Sequence, residues 1–542
     1  MPTPHEKAIA SMNSASNNFS VTIVCTSDDH QANYWMSRLS STVCHASASS
    51  SKFPMVLAVS EDWSAGGAGN GLGTLYAFQK AALLATKLHS VDLATLLHNK
   101  EISVGLFHTA GKGTRLAPLP ASENNNKPGV KLPVSTPCTA SDGTKTNVSL
   151  TILEAVIKQT AVYAQSRLGR LSVFWGDQVF VPSEPVDTPP THHVDIMCTL
   201  GAMTSREEWA ERGLDKYGVI AVSEKDGEAA QVEKVGYDTA ILMLKSLSPV
   251  KQVGPSLGSF SVSSPMLTAL MDEFQAEISS HQGKLDTDPH FWMPMTLKEE
   301  DYKNLMKSKG VDEATSSAHY KRIGLMKEKF LQGVKGDNLG LFGAVNVGAN
   351  ACWWDYGQLK LYSKNNLKLL EDSEDSKLLR SFLNVERGVS ANSEVSTTEV
   401  DNVSCVSASE IKSGNVTQSV LSCVNASTIS ANGAIIVNVT AKNITAGKGA
   451  ILYNIVDASE GGVVVGEGEV RVGVFDSSGK MSVVNSSMGI DGGQAWKNVV
   501  AGNDSSFEAI HTSNRDSDVS AIESQRSSLH KKMSQSWKEG EL

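Results

Sequence analysis

Between Val420 and Ile455 this chain repeats itself. Val424, Val439 and Ile455 stand 15 and 16 residues apart, and Gly433 and Gly449 stand 16 apart. Each unit is a short run of β-branched and small apolar residues closed by Gly, Asn or Ser, which turn a chain at low cost. A unit this short cannot bury its own apolar face, so it must stack on its neighbours. The repeat is therefore read as the coils of a β-helix solenoid, with a β-sandwich as the rival arrangement of the same strands. Composition places the boundary: near residue 390 Asn, Ser, Thr, Val and Gly begin to dominate and charge thins. Residues 391–502 are assigned to this domain. Residues 503–542 are polar and lack the repeat, and they read as a flexible tail with one short helix near Ile522.

Residues 21–390 carry a different pattern. Apolar runs point to strands at 21–26, 55–59, 104–107, 171–175, 195–200 and 219–222, and helical patterns fall at 75–88, 150–164 and 264–278. Leu150, Leu153, Ile157 and Ala161 recur every three or four positions, one face of a helix. Strands alternating with helices imply an α/β domain with a mostly parallel sheet between helices. Such sheets bind ligands at the carboxyl ends of their strands. Residues 1–20 are polar, contain no apolar signal core, and read as a flexible N-terminus.

The strand at 104–107 runs into Ala110-Gly111-Lys112-Gly113-Thr114-Arg115-Leu116, and Lys127 and Lys131 follow. Glycines let a backbone approach a ligand closely, and consecutive N–H groups bond phosphate oxygens. Arg adds a planar fork and Lys a mobile point charge. A P-loop is excluded, because it needs four residues between its glycines and Ser or Thr after its lysine. Here five residues separate Gly105 from Gly111, and Gly113 follows Lys112.

The charge balance sharpens this reading. A protein of net charge −10 that binds polyphosphates must gather its positive charge locally, and Arg115, Lys127, Lys131 and Lys234 are the candidates. No block of like charge is long enough for a nucleic-acid arm, and no apolar run is long enough for a membrane span. The seven cysteines form no C-x-x-C pair, so neither a zinc site nor a disulfide framework is indicated, and a reducing cytoplasm is the simplest compartment. His192 and His193 are adjacent on a strand and point to opposite faces, which argues against joint chelation.

Gly111-x-Gly113-Thr114-Arg115-Leu116 followed by Lys127 resembles the signature of the sugar-1-phosphate nucleotidyltransferases, or nucleotide-sugar pyrophosphorylases. Further matches come in that family's order. Val173-Phe174-Trp175-Gly176-Asp177 resembles its metal-holding strand end. Tyr217-Gly218-Val219-Ile220, then Gln231-Val232-Glu233-Lys234, resembles its sugar-side segment. Trp353-Trp354-Asp355-Tyr356-Gly357, then Tyr362 and Asn366, resembles the ending that carries its second metal-binding aspartate. Each match alone is common; four in order, over roughly residues 100 to 370, are specific.

Upstream, Ala65-Gly66-Gly67-Ala68-Gly69-Asn70-Gly71-Leu72-Gly73-Thr74-Leu75 reads as a second Gly-rich loop leading into a helix near Tyr76. A strand and a loop of this kind before the phosphate loop resemble the layout of the fucose-1-phosphate guanylyltransferases. Gly113-Thr114-Arg115 departs from them toward the general pyrophosphorylase form.

The resemblance implies a Rossmann-like, GT-A-like catalytic domain at 21–390 that joins a sugar 1-phosphate to a nucleoside triphosphate and releases pyrophosphate. It implies Gly71, Gly73, Gly111, Gly113, Thr114 and Arg115 as nucleotide-binding residues, and Arg115 and Lys127 as catalytic ones, with Lys131 as the alternative phosphate lysine. Gly218, Glu233 and Lys234 would bind the sugar phosphate, and Asp177 and Asp355 would hold Mg²⁺. GTP with fucose 1-phosphate is the leading pair. The alternatives are a uridylyltransferase acting on a hexose 1-phosphate and a catalytically silent subunit that binds sugar nucleotides. A structural β-solenoid protein with an accessory α/β domain is the remaining class. The expected partners are these small molecules, with no nucleic acid and no membrane. A homo-oligomer through the β-helix is allowed for.

Overall fold

The computed structural model describes residues 2–14, 18–46, 52–63, 66–140 and 142–539. Its first part is a mixed α/β unit. The main sheet runs Ala229–Glu233, Gly218–Ser223, Val250–Ser263, Arg170–Trp175, Val104–His108, Val21–Thr26, Met55–Ser60. The last four strands pair in parallel. Val250–Ser263 runs antiparallel to its neighbours, and His192–Cys198 joins it and takes Gly340–Asn346 in parallel. Alternate residues of the parallel strands serve different cores. Val21, Ile23, Leu106, Leu171 and Val173 fill one face, and Val24, Phe107 and Phe174 fill the other. Burial on both faces is why these strands are apolar runs and not alternating ones.

Five of the six expected strands lie where the apolar runs put them and the sixth, His192–Cys198, starts three residues early, while Ala229–Glu233, Val250–Ser263 and Gly340–Asn346 of the same sheet were not among those expected. The helix expected near residue 75 begins at Gly69 and runs to His89. The supposed loop Gly69–Thr74 is its first turns. The glycines there are packing residues. A β-carbon on Gly71 would meet Leu285 O at 2.8 Å and Phe291 Cζ at 2.9 Å, and one on Gly73 would meet Glu61 Oε2 at 2.9 Å. Ala65, the first residue of that stretch, lies outside the described residues.

Beyond residue 390 the strands stack. Glu410–Thr417, Val420–Asn432, Ile435–Ala446 and Ile451–Asp457 pair in parallel in chain order, with Val424 opposite Val439 and Val439 opposite Ile455. That register is the repeat seen in the sequence. The corners repeat too: Cys423, Asn438 and Asn454 all have positive φ, and Asn438 Nδ2 donates to Asn454 Oδ1 at 2.7 Å. Asn enters the left-handed region more cheaply than other side chains, so these corners favour it. Met481–Ser487 pairs antiparallel with Glu469–Phe475 and ends the stack.

Two expectations fail at the ends. The N-terminus is not flexible over its described part: Pro4–Met12 is a helix with a Thr3–Glu6 capping box, burying Ala8, Ile9 and Met12. Residues 15–17 lie outside the described residues. The polar tail is not a flexible tail with one short helix. It folds as Phe507–Ser513 and Val519–Glu539, and Arg526 is only 2% exposed. Arg526 is buried in an ion pair with Glu123, which a hydrophobic pattern does not report. One apolar cluster crosses the boundary at 390, joining Leu119, Val130 and Leu132 to Val420, Ile435, Tyr453 and Val472. No helix among the described residues is long and apolar enough to cross a membrane.

Candidate functional site

A cleft of about 640 Å³ opens at the carboxyl ends of Val104–His108 and Arg170–Trp175. Its first wall begins where the chain leaves His108. Gly113 has φ +63, and a β-carbon on it would stand 3.0 Å from Lys127 Cγ, so glycine here lets the lysine stem lie close along the turn. Arg115 reaches the cleft from the single turn Thr114–Leu116. Lys127 Nζ lies 2.5 Å from Asp177 Oδ2. Gly176, just before it, donates its N–H to His108 O and draws the two strand ends together.

Asp355 arrives by a separate route. Cys352–Asp355 pairs antiparallel with Gln178–Val181, and Asp355 stands opposite Gln178. A β-carbon on Gly357 would lie 3.0 Å from both Asp177 Oδ2 and Asp355 Oδ1, so the two carboxylates face one small gap. Burial, with Asp177 adding to it, holds the Asp355 carboxyl above its ordinary range. The Gly357 N–H, Lys127 and Arg115 pull the other way.

The opposite wall carries Gly218, Glu233 and Lys234. Gly218 pairs with Glu233 across the strands, and a β-carbon on it would stand 2.8 Å from Glu233 Oε2. Lys234 has φ +56 and sets Nζ 3.0 Å from Glu233 Oε1. Beside them is Asp288, which no motif marks. Burial and then the neighbouring Glu233 push its pKa up to about 6.

Between the walls His108 stacks on Trp175, with ring centroids 5.4 Å apart at 29°. Burial lowers the His108 pKa to about 4, and its Nε2 is hydrogen-bonded to Thr74 Oγ1 at 2.8 Å. Gly258, with φ +76, leaves room for the Trp175 indole, since a β-carbon would lie 2.6 Å from Nε1. Of the residues singled out in the sequence, Arg115, Lys127, Asp177, Asp355, Gly218, Glu233 and Lys234 line this cleft. Gly113 and Thr114 are not among its lining residues. Gly111 opens instead on an adjoining pocket with Lys112, His511 and Arg515. Gly71 and Gly73 do not line the cleft, and the Gly71 N–H is already bonded to Leu285 O at 2.9 Å. Lys131 is removed altogether: it is 4% exposed and its Nζ lies 2.8 Å from Glu123.

Among the described residues no group of three or more His, Cys, Asp or Glu side chains is placed to hold a metal. Asp177 and Asp355 alone suit Mg²⁺, which uses one or two carboxylates and takes its other oxygens from water and phosphate. His193 Nδ1 is hydrogen-bonded to Ser263 Oγ, while His192 Nδ1 sits 3.8 Å from Asp195. His108 and Trp175 were findable as the last residues of strands that end at the cleft. Asp288 left no signal, because its segment contains no periodic pattern. No model of a protein family matches the chain, and no curated protein matches it.

Proposed function

We propose that this cleft transfers a nucleotidyl group to a sugar 1-phosphate, in a GT-A-like catalytic unit followed by a β-helix. The observation that carries the reading is convergence. Arg115, Lys127, Asp177, Gly218, Glu233, Lys234 and Asp355 come from four separate motifs and meet around one cavity. Structural needs alone do not call for two facing carboxylates, a lysine on one of them and an arginine beside both.

In the proposed reaction an oxygen of the sugar phosphate attacks the α-phosphorus of the triphosphate. The bond from that phosphorus to the bridging oxygen breaks, and pyrophosphate leaves with the electron pair. The attacking oxygen is already anionic, so no general base is required, and the work is positioning and charge neutralisation. Lys127 neutralises the α-phosphate, and Arg115 the leaving pyrophosphate. Lys234 holds the sugar phosphate and Glu233 accepts from sugar hydroxyls. Asp177 and Asp355 would hold Mg²⁺, which supplies charge neutralisation to the phosphates when bound.

Resemblance makes GTP with fucose 1-phosphate the leading pair. A uridylyltransferase acting on a hexose 1-phosphate remains the second reading. A reducing cytoplasm and a homo-oligomer through the β-helix belong to the same proposal. The test is pyrophosphate release from GTP, UTP, ATP, CTP and dTTP against fucose, glucose, mannose and N-acetylglucosamine 1-phosphates, with and without Mg²⁺. Turnover with one pair, dependent on the metal and reduced at least about 100-fold by Asp177→Ala or Asp355→Ala, is expected. No turnover with any pair refutes the enzyme reading. A preference for UTP in kcat/KM refutes only the guanylyl assignment.

A further inference from the structure

Asp288 lies in the cleft but outside every motif, and it is held there by the segment that the sequence points to as a nucleotide loop. The helix start at Asn70 and Gly71 is spent on the chain around Asp288. Gly71 N–H donates to Leu285 O at 2.9 Å and Leu72 N–H to the same oxygen at 3.2 Å. Asn70 N–H donates to Asp286 Oδ1 at 3.0 Å, and Thr287 N–H donates to Asn70 Oδ1 at 2.8 Å. The absent β-carbons of Gly69 and Gly71 let the two backbones approach this closely. On its other side the segment is nailed down by Phe291 and Trp292, 2% and 1% exposed. Asp288 itself opens a single π-turn, a conformation enriched at functional sites. Its carboxylate is partly open to the cleft and accepts a hydrogen bond from Thr287 Oγ1 at 3.3 Å, which leaves acceptor capacity facing the cavity.

We propose that Asp288 is a specificity residue, which reads a hydroxyl of the sugar ring from the Glu233 side of the cleft, and that Asn70 with Gly71 is its positioning clamp. The inference rests on the nucleotidyltransferase reading and assigns its sugar end. The location decides the ligand group. Arg115 and Lys127 stand with Asp177 and Asp355 on one wall, whereas Asp288 neighbours Glu233 and Gly218 on the other, near Lys234, whose charge serves the sugar phosphate in the proposed reaction. An acid there is repelled by phosphate and matched by hydroxyl groups, to which it offers acceptors. Because burial and Glu233 raise its pKa, it also has access to the neutral form, in which one oxygen donates.

The test uses the full chain and the sugar 1-phosphate accepted in the panel of fucose, glucose, mannose and N-acetylglucosamine 1-phosphates. Asp288→Asn is expected to raise KM for the sugar phosphate at least about tenfold, with KM for the triphosphate changed less than about twofold. Analogues lacking one ring hydroxyl at a time locate the contact. One of them should be penalised by the wild type and not by Asp288→Asn. Asp288→Glu, which keeps the charge and moves it, should show the same KM pattern and serves if the amide variant folds poorly. Asn70→Ala should raise the sugar KM in the same direction, and combined with Asp288→Asn should add little, because the two act through one contact. A rise in the triphosphate KM instead, equal penalties for every deoxy analogue in both proteins, or unchanged kinetics would overturn the inference while leaving the nucleotidyl transfer standing. Absence of wild-type turnover with any pair removes both.

Discussion

Lys127 and Lys131 are four positions apart and chemically identical, yet their surroundings give them unrelated tasks. Lys127 is 20% exposed, on the cleft, with its charge on Asp177; Lys131 is inside the molecule with Glu123, Arg526 and the Tyr453 hydroxyl around it. Burial alone would raise the Glu123 carboxyl, but Arg526 and Lys131 hold it below its ordinary range. Two substitutions separate the tasks. Lys127→Met should cut turnover at least about 100-fold with little change in thermal midpoint, since it removes charge from the phosphate wall. Lys131→Met should destabilise the fold by about 3 kcal/mol, the low end for breaking a buried pair, because Arg526 still answers Glu123. Kinetics and urea unfolding of both proteins check this, and the reverse assignment of effects would refute it.

At the scale of elements, the turn that carries Arg115 is held from behind by a segment from late in the chain. A β-carbon on Gly492 would stand 2.4 Å from Thr114 O and one on Gly493 3.5 Å from Arg115 Cγ. The segment after the last strand therefore fixes the turn that carries Arg115. Gly492→Ala must push backbone against backbone and displace that turn. The expected result is a fall in kcat of about tenfold to 100-fold, the cost of roughly an ångström of misplacement, with the fold retained. Unchanged steady-state kinetics would show that the turn does not depend on this contact. The helix Gly69–His89 makes the complementary point. Its glycines looked like a ligand loop because glycine marks close approach, and close approach is what they provide, but to protein backbone.

Across the whole molecule the two halves are not separable. Ser122 Oγ donates to Gly473 O at 2.5 Å, Asn124 to Phe475 O at 3.0 Å, Asn125 to His511 O at 2.7 Å, and the Lys131 N–H to the Tyr453 hydroxyl at 2.7 Å. Removing residues 391–542 leaves Glu123 and Lys131 without Arg526 and Tyr453 and opens a shared apolar cluster. The truncated chain is expected to be insoluble or to lose triphosphate binding, measured by sedimentation and by calorimetry with GTP; a folded fragment with full affinity would refute it. The last helix also carries an acid-sensitive group. His530 is hydrogen-bonded to Thr440, and burial, with Arg526 and Lys131 adding to it, lowers its pKa to about 3. A folded pKa below the ordinary histidine value means that the unfolded form takes the proton first, so stability is lost as pH falls below about 6.5 toward 3. Hydrogen exchange should show residues 519–536 less protected at pH 4.5 than at pH 7, and His530→Asn should shrink that difference.

The sequence by itself determined what is local and periodic. The parallel strands at Val21, Val104 and Arg170, the stacked register of Val424, Val439 and Ile455, and the charged cleft residues Arg115, Lys127, Asp177, Glu233, Lys234 and Asp355 were legible. Apolar periodicity and glycine-marked turns are properties of a few neighbouring residues, and strand pairing preserves them. Only the tertiary structure decided which polar residues are inside. It buried Lys131, Glu123 and Arg526, which come from distant parts of the chain, and it turned the Asn70 segment into a clamp that sets Asp288 in the cleft. An ion pair stabilises a buried charge only when both partners have arrived, so neither residue carries a local sign of its fate.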